Sequence, residues 1–152
     1  MISFFAILNS CVEIQNSDWR IRNENITFSG AEVCAEIAQH KVIINAAKIW
    51  CYSQSVPSMV AVIVPNGDTI LRLNEPSLQL LNLSRHNQNS RLSCREFWKN
   101  EVNYWDLIRD LRQCGRAENR IELLTFDGFP AGELGVVAML LPNSPIFVSH
   151  II

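Results

Sequence analysis

Apolar residues along the chain change from continuous runs to a helical period and back again. Residues 2–8 (Ile2-Ser3-Phe4-Phe5-Ala6-Ile7-Leu8) and 11–15 predict strands, with shorter extended pieces over 18–28. Asn16-Ser17 and Asn23-Glu24-Asn25 punctuate them. Ser29-Gly30-Ala31-Glu32 then has capping-box spacing, and a long helix is expected from about 31 to 52. Val33, Ile37, Ile44, Ala47 and Cys51 fall on one side of it, Ile43 and Trp50 beside them, and His40 within the band. So wide a stripe must be buried against a neighbour, either the chain's own sheet or a second subunit. Pro57 lies in the polar stretch that ends the helix, so a boundary is expected between an N-terminal extension, 1–57, and a domain, 58–152.

From Ser58 the pattern is more regular. Met59 to Val64 predicts a largely buried strand, Pro65-Asn66-Gly67-Asp68 a hairpin turn, and Thr69 to Leu73 the return strand. Asn74-Glu75-Pro76 opens a short helix carrying Leu78, Leu80, Leu81 and Leu83. A polar stretch over 84–93 predicts a loop, and 93–99 one helical turn with Phe97 and Trp98. A clear helix follows over 102–114, with Trp105, Ile108 and Leu111 inward and Gly115 as its C-cap. Strands are expected over 120–126, 133–141 and 146–152. Strand, strand, short helices, longer helix and three strands predict an α+β fold. Its core is a five-stranded antiparallel sheet with helices on one face, preceded by N-terminal strands and the long helix.

The 152 residues are 48% hydrophobic and 18% charged, enough to build a real core and unlike a disordered chain. A net charge of −2 gives no basic surplus, so neither nucleic acid nor a membrane surface is an expected partner. Five cysteines, Cys11, Cys34, Cys51, Cys94 and Cys114, are odd in number, widely spaced and without a Cys-x-x-Cys pair. That argues against a disulfide framework or zinc site and for a reducing cytoplasm. The N-terminal run followed by Cys11 faintly resembles a lipoprotein signal. No Lys or Arg precedes it, however, and a buried strand explains the same residues. No apolar stretch reaches the ~18 residues of a membrane span.

Residues 58–152 resemble a PAS domain. The hairpin at Pro65-Asn66-Gly67-Asp68 is one matching feature, and Leu73-Asn74-Glu75-Pro76-Ser77 leading into a short helix is another. Leu80-Leu81-Asn82-Leu83-Ser84-Arg85 and Glu122-Leu123-Leu124-Thr125-Phe126-Asp127-Gly128 match in order and spacing. The resemblance implies a pocket between helices and sheet, approached by Trp98, Tyr104, Trp105, Ile108, Leu123 and Val137. Those side chains either line a small-molecule site or fill the core.

No residue pattern names a reaction. His40, His86 and His150 lack metal-ligand spacing, and 102–114 holds no histidine to bind a haem. Ser93-Cys94-Arg95-Glu96-Phe97 faintly resembles the photoactive cysteine motif of LOV modules, but lacks that motif's flanking Asn and Gln. Asp106 and Asp110 flank Arg109 on a solvated helix face, and no Ser-His-Asp order or glycine-rich phosphate loop is present. The expectation is a non-enzyme without cofactor or metal. By resemblance it is a sensory and dimerising module of a bacterial-type signalling protein, relaying a signal by population shift to an output domain such as a kinase. The long helix supplies the expected homodimer contact through Val33, Ile37, Ile44 and Trp50. The alternative is a ligand-free interaction adaptor of profilin-like or GAF-like α+β fold.

Overall fold

A computed structural model describes residues 37–84 and 91–152. The predicted strands of residues 2–28, the helix start at Ser29 and the dimer candidate Val33 lie outside the described residues, as does His86.

Helix α1 spans Lys41–Ser53. Residues 37–39 before it are helical, and His40 breaks the path as the N-cap of α1, with φ −116° and ψ 28°. The continuous helix expected over 31–52 is therefore interrupted at the one polar residue within its apolar band. Strands β1 (Ser58–Val64) and β2 (Gly67–Leu73) form a hairpin whose two-residue turn is Pro65-Asn66. Gly67 follows at φ +130°, and a Cβ there would sit 2.6 Å from the Tyr104 hydroxyl. Glycine is thus required twice over, for the backbone angle and for the close approach.

Helix α2 (Glu75–Leu80) begins at Asn74, whose side-chain oxygen accepts from Ser77 N (3.1 Å) in a standard cap. The same buried side chain also accepts from Ser58 N (2.9 Å) and donates to the carbonyls of Cys51, Gln54 and Val56. One residue thus ties together the end of α1, the connection to β1 and the start of α2. A 3₁₀ turn (Cys94–Phe97) with a complete capping box from Ser93 and Glu96 precedes α3 (Glu101–Cys114). Asn100 caps the start of α3, and Gly115 ends it in the left-handed region. Three strands complete the domain: β3 (Arg116–Leu124), β4 (Pro130–Leu140) and β5 (Ile146–Ile151).

The strands form one antiparallel sheet in the order β2-β1-β5-β4-β3. β3 begins four residues earlier than its apolar pattern predicts. As an edge strand with most of one face in water, it carries Arg116, Glu118 and Arg120 along a stretch that reads as loop.

The two faces of the sheet have separate cores. On the inner face Ala61, Ile63, Ile70, Val136, Ala138 and Phe147 meet α2, the 3₁₀ turn and α3 through Leu78, Phe97, Tyr104, Ile108 and Leu111. On the outer face Val60, Val62, Ile146 and Val148 meet Ile37, Ile44, Ala47, Trp50 and Cys51. The short helices and α3 share one face, as expected, and α1 covers the other. Of the expected dimer contacts, Ile37 and Ile44 are 1% exposed and Trp50 3%. They pack on the chain's own sheet, because burying their area intramolecularly requires no second chain. The helix assigned to the N-terminal extension thus shares a core with the strands of 58–152.

A bulge refines the outer face. The β1–β2 register slips between Val60 and Ala61, so Ala61 faces Ile70 while Val60 faces Arg72. Leu71 and Arg72, adjacent in sequence, both turn toward α1. His150 also lies on this face, 6.1 Å from the Trp50 ring. Burial, together with the nearby Arg116 charge, holds His150 below the usual histidine range.

Candidate functional site

The inner face contains a buried carboxylate. Asp68, at the start of β2, is 5% exposed and accepts from three donors. These are the Tyr104 hydroxyl of α3 (2.5 Å), the Ser93 hydroxyl (2.6 Å) and the Cys94 backbone N–H, 3.1 Å from both oxygens. Ser93 Oγ in turn accepts from Arg95 N (3.2 Å). Asp68 thus joins the hairpin, the cap of the 3₁₀ turn and α3. A buried acceptor surrounded by donors satisfies the rule that buried polar groups be paired. Burial and the adjacent carboxylate both push the Tyr104 phenol far above its usual range, so it stays a hydrogen-bond donor.

Held in this way, the 3₁₀ turn places Cys94, Phe97 and Trp98 over the sheet. Between them and the strands lies a cavity of about 30 Å³, lined by Met59, Ser77, Leu81, Leu123, Ser149 and Ile151 among others. Cys94 Sγ is 3.2 Å from Met59 Sδ. Its thiol is pushed well above the usual cysteine range, first by burial and then by Asp68, so it stays protonated and unreactive.

The six residues expected around the pocket separate into distinct environments. Trp98 and Leu123 line the cavity, and Tyr104 and Ile108 belong to the surrounding core. Trp105 does not reach it. That residue is 37% exposed, packs edge-on to Tyr104 at 5.1 Å and carries Arg95 over its outer ring face. Val137 faces the other side of the sheet, because Val136 and Ala138 take the inward positions and side chains alternate along a strand. Cys94, singled out in the sequence only for its faint likeness to a photoactive cysteine, also lines the cavity, whereas Met59 and Ser149 escaped sequence reasoning. A strand methionine or serine reads as core or edge, and nothing local reveals which cavity it lines.

A five-stranded antiparallel sheet in this order, with short helices and one longer helix between its second and third strands, defines a PAS-like fold. Solved structures agree. The LOV domain of a blue-light-activated histidine kinase from Erythrobacter litoralis superposes with a TM-score of 0.55 at 18% identity, over 65% of this chain and 95% of that one. The Rhodobacter sphaeroides LOV protein gives 0.58 at 12% identity, over 72% of this chain and 65% of that one. The PAS domain of the fruit-fly ELK potassium channel gives 0.59 at 11% identity, over 72% and 94%. No family model matches the sequence, and no curated protein matches it. At these identities the likeness is one of fold.

The LOV neighbours in fold raise the question of a flavin, and the inner face does not fit one. Pockets for such ligands have volumes of about 300–1,000 Å³. The cavity here is about 30 Å³, room for little more than an ordered water. Phe97, Trp98 and Tyr104 fill the space between helices and sheet. A haem fails the same test. Among the described residues no helix is long and apolar enough to cross a membrane, and no cluster of His, Cys, Asp and Glu could hold a metal ion.

Proposed function

We propose that this chain is a sensory module of a signalling protein, acting by a shift between packings of the sheet and its flanking helices rather than by catalysis. The observation that carries this reading is the double-sided sheet. Strands β1 and β5 contact α1 through one set of side chains and the inner core through the alternate set. A repacking on the inner face is therefore felt at α1 with no intermediary. Neighbours of this fold include the LOV domain of a blue-light-activated histidine kinase and a domain of the sensory box sensor histidine kinase/response regulator from Geobacter sulfurreducens. That supports a kinase as one class of output domain.

The filled inner face favours a partner surface or a very small ligand as the signal over a chromophore. The module is proposed to work in the cytoplasm as a homodimer. With Ile37, Ile44 and Trp50 committed to the core, Ile49 (54% exposed) and Tyr52 (59%) are the apolar residues that α1 offers a second subunit. Relaxation-dispersion NMR on the full chain tests the relay. Millisecond exchange shared by α1, β1 and β5 is the expected result, and an α1 that stays in one state while β1 exchanges refutes it. Sedimentation of the parent and Ile49→Asp tests the dimer, which the substitution should dissociate. A purified protein absorbing near 400–450 nm would instead identify a cofactor sensor.

A further inference from the structure

We propose that Lys48 of α1 and Arg72 of β2 form a binding site for a soluble phosphate monoester, on the face of the sheet opposite the cavity. The site begins with the bulge. Without the slip at Val60/Ala61, alternation from Ile70 would turn Arg72 toward the inner core, but the bulge brings it out under α1. There its guanidinium lies 5.6 Å from the centroid of the Tyr52 ring. Lys48 is four residues before Tyr52, one turn away on the same helix face. Arg72 thus lies beneath the helix face that carries both residues, near enough for its charge to disfavour the Lys48 ammonium.

Two cations are therefore held together in a half-buried setting, and among the described residues no ion pair includes either one. Arg72 Nε is buried and has no hydrogen-bond partner, although buried donors are almost always paired. Burial and Arg72 together lower the Lys48 ammonium to about 8, the behaviour of a cation lacking a counter-charge. The pair carries +2, which a phosphate dianion balances and a single carboxylate does not. Arginine supplies a planar fork for two phosphate oxygens and lysine a point charge for the third.

The test titrates the full chain with inorganic phosphate at pH 7.5 and constant ionic strength, following the Arg72 Nε–Hε resonance, with acetate as the comparison anion. A saturable shift with phosphate and none with acetate is expected. Lys48→Gln and Arg72→Lys, both followed at the backbone amide of Tyr52, which each variant retains, should each weaken binding at least tenfold, and both replace partly exposed groups with residues of similar length. Glycerol 3-phosphate should bind at least as tightly as inorganic phosphate. An Arg72 signal unmoved by either phosphate, equal response to acetate, or undiminished binding in both variants overturns the site. Binding only to vesicles containing phosphatidic acid, without binding of the soluble phosphates, also overturns it.

Discussion

Removing the Asp68 side chain tests how the inner face is held together. Asp68→Ala strands three donors. Ser93 is half-buried and its hydroxyl can turn to water, but Tyr104 is 0% exposed and Cys94 2%, so the phenol and the Cys94 N–H cannot. A buried donor left unpaired costs about 1–3 kcal/mol, so two cost about 2–6 kcal/mol. That is a large part of the ~5–15 kcal/mol that keeps a domain folded. At a urea slope of about 2 kcal/mol per molar, a loss of ~4 kcal/mol moves the midpoint down by about 2 M. Urea unfolding, followed by tryptophan fluorescence and circular dichroism, measures it. Tyr104→Phe in the parent removes a good hydrogen bond and should destabilise by about 1–2 kcal/mol. In the Asp68→Ala background it removes an orphaned hydroxyl and should be neutral or favourable. The two substitutions are therefore strongly non-additive. An Asp68→Ala midpoint within 0.5 M of the parent (about 1 kcal/mol at this slope), or a Tyr104→Phe effect equal in both backgrounds, refutes the reasoning.

Three further outcomes follow from the outer face and the thiols. Ile44→Glu places an unpaired charge at a 1%-exposed position against the sheet. A loss of at least about 4 kcal/mol is expected, giving an unfolded chain by circular dichroism; a folded monomer would restore Ile44 to a subunit contact. Lys48 titrates near 8 in the fold and at 10.5 unfolded, so between those values the unfolded state binds more protons and the Lys48 contribution to stability rises with pH. The stability difference between parent and Lys48→Met, in phosphate-free buffer, should be level below pH 8 and climb toward 10.5. Cys94, Tyr104 and Cys51 (pushed up to about 12) act with the opposite sign but cancel in that comparison, and a flat difference rejects the account. Of Cys51, Cys94 and Cys114, the exposed Cys114 alone should react with iodoacetamide at pH 8 in the native protein. Peptide mapping that finds Cys94 modified first would contradict the burial of that thiol.

The elements of this domain were legible in the sequence because their signals are local. Asn66-Gly67 marks the hairpin, Asn74 and Pro76 the entry to α2, Ser93 and Glu96 the capped 3₁₀ turn, and Gly115 the end of α3. The order of those elements was enough to predict the antiparallel sheet and the PAS-like resemblance. Which face each residue serves was decided only in three dimensions. Strand periodicity leaves Val136 and Val137 equivalent until a neighbour defines the inside, and a one-residue difference in phase moved Val137 off the cavity. The slip beside Val60 reverses the alternation at Arg72 and appears in no local motif. The broad band of α1 demands burial but cannot say whose surface supplies it, and the chain's own sheet was available. Asp68 reads as an ordinary turn acid. Its role depends on Tyr104, 36 residues away, and on Ser93, 25 away, because a hydrogen bond is set by distance in space.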